Sequence, residues 1–336
     1  MRPRLLYVHS RKASFVAIDR ELLAERYEVR DWYQPGRMPN LFGLIPTLLR
    51  SDVVLGWFAS WHTFWPITLA WLLRKPSVMI IGGFDVANMP EIGYGYQQGG
   101  LRRWASRWII NRASRLITNS HYSREEIARN IGEGLAGRVE VIHHGVPDPW
   151  GPLSGREREP LAISVGHIVR NTLEQKGQRP FVDAAACLPE VRFVLVGQAH
   201  DDAIDELRAR APANVEFSGW LSQEELEDLY ARASVYVQAS LHEGFGMAVA
   251  EGMLAGCIPV VTAVTAMPEV VGDAGVQIRS PDPDDVAEGV RQALSFDAGA
   301  PARARERILE EFPLDKRRTE LLRVVEEALA GTAAKA

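Results

Sequence analysis

Two glutamates stand eight positions apart in "EGFGMAVAE": Glu243 and Glu251, with Gly244, Phe245 and Gly246 directly after the first. A carboxylate is a good bidentate acceptor for vicinal hydroxyls, the groups that a sugar or a ribose presents. The glycines suit a tight turn in which backbone N–H groups approach a ligand. A helix from about Met247 to Leu254 then aims its positive N-terminus at the same place, which makes an anion site. Glu243 falls in the loop and Glu251 in the helix, so the two acids need not share a helical face. A surface loop acid and a solvated helix acid are the bland alternative, and further residues must decide.

Those residues lie upstream. "LAISVGHIVRNTLEQKGQ" is an apolar strand run followed by Gly166 at the turn, with Lys176 and Gly177 opening the next helix. Lys176 is placed to meet a phosphate as a mobile point charge, and Arg170 has a similar claim. "DPDD" at 282–285 has the spacing of a DxD metal motif, but it sits just before "VAEGVRQAL", where Asp284 or Asp285 reads as a helix cap.

The elements that must position these groups follow from periodicity. Short apolar runs at Leu5–His9, Val53–Trp57, Val78–Ile81, Leu116–Thr118 and Val139–Ile142 alternate with helix-length amphipathic stretches. After the Gly- and Pro-rich "HHGVPDPWGPLSGREREP" the rhythm restarts at Leu161–Val165, Phe193–Val196, Val235–Gln238 and Ile258–Val261. Such a rhythm makes parallel sheets covered on both faces. The fold class is therefore α/β, with two Rossmann-like domains facing across a cleft and ligands at the carboxyl ends of the strands. The expected domains are residues 1–150, residues 151–315, and a final helix within residues 316–336.

Composition narrows the partners. The chain has 336 residues, 46% of them hydrophobic, and a formal charge of −5, which gives no broad basic field for nucleic acid. Cys187 and Cys257 lie far apart, without metal-knuckle spacing, and read as reduced, buried small hydrophobes. The N-terminal apolar run is too short for a signal peptide, so a cytoplasmic location is expected. Residues 53–73 carry no formal charge over a bilayer-spanning length, yet Gly56, Ser60, His62, Thr63 and Pro66 divide them into a strand, a turn and a helix. "LRRWASRWIINRASR" (101–115) fits two descriptions: an interfacial helix in peripheral contact with the inner membrane surface, or a packed helix with tryptophans inward and arginines outward.

With these motifs in order, the chain resembles the retaining GT-B glycosyltransferases of the family 4 type. The resemblance rests on "EGFGMAVAE" as the E-x7-E element, "VGHIVRNTLEQKG" as the phosphate loop, "NVEFSGWLSQEELEDLYARASVYVQAS" near the nucleotide base, "VIHHGVPD" at the domain border, and "PEVVGDAGVQI". It covers roughly residues 115–280, and residues 1–114 share only the βα layout. It implies that Glu251 accepts hydrogen bonds from the ribose and Glu243 from the donor sugar. Gly244, Phe245 and Gly246 would offer backbone N–H groups to sugar and diphosphate beside Gly166, and Lys176, with Arg170, would neutralise the departing diphosphate.

The implied function is hexosyl-type transfer from a UDP-, GDP- or ADP-sugar to a hydroxyl of a glycan, lipid-linked or small-molecule acceptor, without a metal or other cofactor. A nucleotide-sugar epimerase of GT-B shape and a non-catalytic nucleotide-sugar-binding protein are the rivals. The family often has a His after the fourth strand, where this chain has "GGFD"; Asp85 takes that place as a candidate sugar or acceptor contact, and His62, His121 and His144 are further polar candidates. "SRKASF" lacks the glycine pair many relatives carry, and "VTAMPEVV" replaces the second-domain glycine pair. The resemblance also implies that the final helix crosses back to the first domain and that the linker Pro147–Pro160 is a hinge.

Overall fold

The computed structural model describes residues 2–153 and 158–333, so residues 154–157 of the expected hinge and the last three residues lie outside the described residues. The chain divides into two units: Met1–Gly145 with Leu314–Ala336, and Val146–Pro313.

Six parallel strands form the first sheet: β1 (Arg4–His9), β2 (Glu28–Tyr33), β3 (Val53–Trp57), β4 (Ser77–Ile81), β5 (Arg115–Thr118) and β6 (Val139–Val141), in the order 2-1-3-4-5-6. The second sheet holds β7 (Glu159–Val165), β8 (Arg192–Val196), β9 (Val215–Gly219), β10 (Ala233–Gln238), β11 (Ile258–Thr262) and β12 (Val276–Ile278), in the order 12-11-10-7-8-9. Strands β3, β4 and β11 are buried along their whole length, as parallel strands covered by helices on both faces must be. The α/β architecture of two Rossmann-like sheets is as the rhythm of the sequence requires.

In the first unit the helices Leu41–Leu49, Trp61–Leu72, Gly100–Arg112 and His121–Asn130 share one core on one face of the sheet, through Leu44, Leu48, Ile67, Ile109 and Ile127. The helices Ser14–Ala24 and Leu314–Ala333 share the other, where Leu321, Val324 and Val325 pack on Leu5, Tyr7 and Leu55. The uncharged stretch 53–73 is strand β3 plus the helix Trp61–Leu72, opened by a capping box of Ser60 and Thr63. No helix among the described residues is long and apolar enough to cross a membrane.

The chain passes between the units at Gly145/Val146 and Pro313/Leu314. Asp148 pairs with Arg305, and the Trp150 indole donates to the Glu227 carbonyl, both within the second unit. Three expectations need correction. In "DPDD" the cap of the helix Pro283–Leu294 is Asp282, whose carboxylate accepts from the Asp284 N–H at 3.0 Å, because Pro283 occupies the first helical position. Cys257 is buried as expected, but Cys187 is exposed, at the end of a short 3-10 turn. The described parts of the helix Gly100–Arg112 bury Ala105, Ile109 and Ile110 and leave Trp104 half exposed, so its tryptophans do not all face inward.

Candidate functional site

The strand order of the second unit reverses between β7 and β10, which leave the sheet in opposite directions to β8 and β11. A crevice at the carboxyl ends opens at such a switch point. The loop after β7 carries Gly166, Arg170 and, in the short helix Leu173–Lys176, Lys176; the loop after β10 carries Glu243, Gly244, Phe245 and Gly246. Two motifs about 70 positions apart in the sequence therefore become neighbours because their strands pair, Tyr236 beside Ile163.

Local contacts lock the two loops together. Gly177 has φ +65°, and a Cβ there would collide with the Ala239 carbonyl just past β10, so only glycine permits the approach. The Leu241 N–H donates to the Gln175 carbonyl at 2.9 Å, and the Gln175 side-chain amide donates back to the His242 carbonyl. With the backbones clamped, Lys176 Nζ lies 2.5 Å from Glu243 Oε2. Both side chains are partly buried, 32% and 20% exposed, which leaves them reachable by a ligand but screened less than surface charges.

Beyond Glu243 the chain turns at Gly246, φ +98°, into the helix Met247–Leu254. A Cβ at Gly246 would stand 2.7 Å from the Met267 sulfur, so this turn also requires glycine. Among the described residues no side chain caps the helix, and its first-turn N–H groups have no partner within the helix, so they present donors and positive potential beside Lys176. Phe245 is buried against the ring of Phe312, which fixes the turn from beneath.

Glu251 sits one turn into that helix. Burial pushes its carboxyl up to about 7, a hydrogen bond from Tyr230 acts the other way, and the Glu227 charge adds to the rise. Burial holds the Tyr236 hydroxyl well above its ordinary value, the charges of Glu251 and Glu243 add to the rise, and its oxygen accepts from the Val165 N–H at 3.4 Å. The structure thus brings together Gly166, Lys176, Glu243, Gly244, Phe245, Gly246 and Glu251.

Arg170 does not arrive as a free cation. Its guanidinium pairs with Asp202 at 2.9 Å and Glu206 at 3.2 Å, its N–H donates to Asp201, and the Asp202 carboxylate raises its pKa. Asp85 lies in the first unit, fully buried. Its carboxylate accepts from the N–H groups of Ala59 (2.8 Å), Gly83 (3.0 Å) and Gly82 (3.2 Å), which spends it on holding the loops after β3 and β4. Burial pushes it up to about 6. His62 is likewise structural: it bonds to the Trp57 carbonyl at 2.6 Å, and burial lowers it to about 4. His144 is buried, stacked on Trp57 at 5.7 Å, and held well below its ordinary value; His121 begins a helix at the surface.

Sequence reasoning passed over three kinds of residue. Tyr230, whose buried hydroxyl donates to the Ala248 carbonyl at 3.2 Å in the turn before Glu251, sits within the quoted base-proximal segment but reads there as a core aromatic. Gln178 donates to the Gly166 and His167 carbonyls at 3.4 and 3.2 Å and so shapes the phosphate-loop candidate; its signal was its place two residues after Lys176. In the first unit a cavity of about 250 Å³ beside the end of β1 is lined by Arg11, Lys12 and Arg20, with His9 bonded to Asp31 at 3.0 Å. "SRKASF" carries that basic character in plain view.

Residues 8–148 match the model described as Glycosyltransferase Family 4, and residues 159–295 match the one described as Glycosyl transferases group 1. The chain is 30% identical over 205 residues to O-antigen chain mannosyltransferase B of Escherichia coli, covering 56% of this chain and 54% of that protein. It is 27% identical over 308 residues to GDP-mannose:cellobiosyl-diphosphopolyprenol alpha-mannosyltransferase of Komagataeibacter xylinus, covering 80% and 76%. With D-inositol 3-phosphate glycosyltransferase of Streptomyces avermitilis the identity is 29%, over 76% and 58%. The chain thus spans about half the length of the first of these and three quarters of the second. Among solved structures, Anabaena HepE in complex with UDP and glucose superposes with a TM-score of 0.76 over 97% of this chain and 100% of that one, at 18% identity, a likeness of fold.

Proposed function

The chain belongs to the family 4 glycosyltransferases of GT-B fold, and from that premise we propose that it moves a sugar from a nucleotide-diphosphate sugar to an acceptor hydroxyl, with retention of anomeric configuration and without a metal ion. The observation that carries the reading is the Lys176–Glu243 pair set beside the uncapped N-terminus of the helix Met247–Leu254. As the bond from sugar C1 to the diphosphate oxygen breaks, negative charge grows on the diphosphate. Lys176 and the helix amides stabilise that charge where it develops. The acceptor oxygen bonds to C1, and its proton passes to the departing diphosphate, which becomes more basic as the bond breaks. Glu243 orients the sugar through its hydroxyls, and Glu251 holds the ribose.

In this reading the second unit binds the donor and the first receives the acceptor. The names of the cellobiosyl-diphosphopolyprenol and inositol 3-phosphate relatives carry phosphorylated acceptors, and UDP is bound in the HepE complex. Arg11, Lys12 and Arg20 around the first-unit cavity favour a phosphorylated acceptor here too, including one presented at a cytoplasmic membrane surface. Calorimetric titration with UDP-, GDP- and ADP-sugars tests the donor site: one nucleotide class should bind, and heats indistinguishable from buffer for all three would refute the reading.

A further inference from the structure

Three helices of the first unit expose apolar side chains on their outer sides. The helices Leu41–Leu49, Trp61–Leu72 and Gly100–Arg112 lie side by side on the sheet, each anchored by its own buried residues. On their outer sides Phe42 is 95% exposed, and Ile45, Leu49, Trp71, Leu72 and Trp104 are 41–61% exposed. Isolated exposed apolar residues are ordinary, but a contiguous set on neighbouring helices marks an interaction surface.

The aromatic part of this face is rigid. Phe64 and Trp104 lie 5.5 Å apart, Trp104 and Trp108 also 5.5 Å, and Trp108 and Trp71 6.3 Å, with the Arg112 guanidinium 3.3 Å over the Trp108 ring. Trp71 and Trp104 are therefore held at the surface by packed neighbours.

The stretch of chain that carries these helices is predominantly basic. From Arg37 to Arg115 the chain carries nine Lys and Arg against three acids, a net +6, in a chain whose total is −5. Of the three acids, Asp52 is paired with Arg4 at 3.3 Å and Asp85 is buried. Arg102 and Arg103 stand exposed beside Trp104, Arg50 beside Leu49, and Arg74 after Leu72.

We propose that this three-helix face docks the chain on an anionic lipid surface. Indoles and aliphatic side chains enter the headgroup–acyl boundary while the surrounding guanidinium groups meet lipid phosphates, the arrangement that suits helices lying in a bilayer interface. The basic rim selects an acidic bilayer over a neutral one. The proposal deepens the reading above by naming the surface on which an acceptor is met, and its test is separate from transfer.

The experiment is flotation of the full chain with phosphatidylcholine vesicles, with and without phosphatidylglycerol. Wild type should float with the anionic vesicles, stay behind with neutral ones, and be released as salt rises. Phe42→Ser with Trp104→Ser, and separately Arg102→Glu with Arg103→Glu, should each lower the bound fraction about tenfold. Both variants should release nucleotide diphosphate at the wild-type rate with a water-soluble acceptor. A wild type that stays unbound, variants that bind like wild type, or a face that instead mediates self-association in sedimentation would overturn the proposal. Loss of transfer with vesicle binding intact would count against the catalytic reading alone.

Discussion

Lys176 Nζ lies 2.5 Å from Glu243 Oε2, although 67 positions separate the two in the chain. Without a donor the pair neutralises itself, which spares the crevice an uncompensated partly buried charge. In the proposed transfer, a diphosphate arriving at the helix Met247–Leu254 would compete with Glu243 for the ammonium group and release the carboxylate to accept from sugar hydroxyls, so that one displacement would arm both residues.

Removing the cation should therefore cost rate more than folding. Lys176→Met is expected to slow turnover by ~10²-fold, with Lys176→Arg intermediate, since arginine keeps the charge but changes its reach. Steady-state kinetics with saturating donor provide the check. A Lys176→Met turnover within about twofold of wild type would remove the role.

Glu251→Ala should weaken free nucleotide diphosphate and complete donor alike, by about tenfold or more, because both contain the ribose. Protonation adds a signature. Burial lifts this carboxyl from 4.5 to about 7, so the folded chain keeps a proton that the unfolded chain releases. The resulting stabilisation is complete below about pH 4.5 and lost as pH rises through about 7. Urea unfolding should thus show a smaller drop between pH 5 and pH 8 for Glu251→Gln than for wild type. Equal affinities of Glu251→Ala and wild type in calorimetry would eliminate the ribose assignment.

In the proposed transfer, Lys176 and the helix amides take the part that a metal ion would otherwise play. Activity should survive EDTA, and Asp282→Ala should lose about 1 kcal/mol of stability as a missing helix cap while turning over normally. Activity abolished by EDTA and restored by manganese or magnesium would revive "DPDD" as a metal site.

Asp19 and Arg317 form an ion pair at 2.6 Å with both side chains 1% exposed, and Arg317 also donates to the Ile142 carbonyl. Breaking such a pair leaves a buried charge alone, so Asp19→Asn should cost about 3–5 kcal/mol in urea unfolding. Deleting residues 316–336 removes Arg317 together with Leu321, Val324 and Val325, and should abolish transfer although no proposed site residue is lost. A truncated chain with wild-type melting temperature and turnover would contradict this.

Central strands were legible because parallel strands covered on both faces read as unbroken apolar runs, as in "VVLGW" and "SVMII". The three that were missed, β2, β9 and β12, all lie at sheet edges, where "EVRDWY" and "VEFSG" mix polar residues into the run. Site chemistry was legible where a loop carried its own signal, as in "EGFG" and "EQKG". What stayed hidden depended on pairing across the sheet. Nothing in the letters around Arg170 announces that Asp202 and Glu206 neutralise it, or that Asp85 is spent on three backbone N–H groups.

The central claim is transfer, and product stoichiometry tests it most directly. The chain is incubated with the donor class that binds and a phosphorylated, hydroxyl-bearing acceptor, and free nucleotide diphosphate and glycosylated product are quantified together. The account predicts one nucleotide diphosphate per glycosylated acceptor, with both falling in parallel in Lys176→Met. Donor converted to its epimer, or bound tightly with no diphosphate released across a range of acceptors, would contradict it.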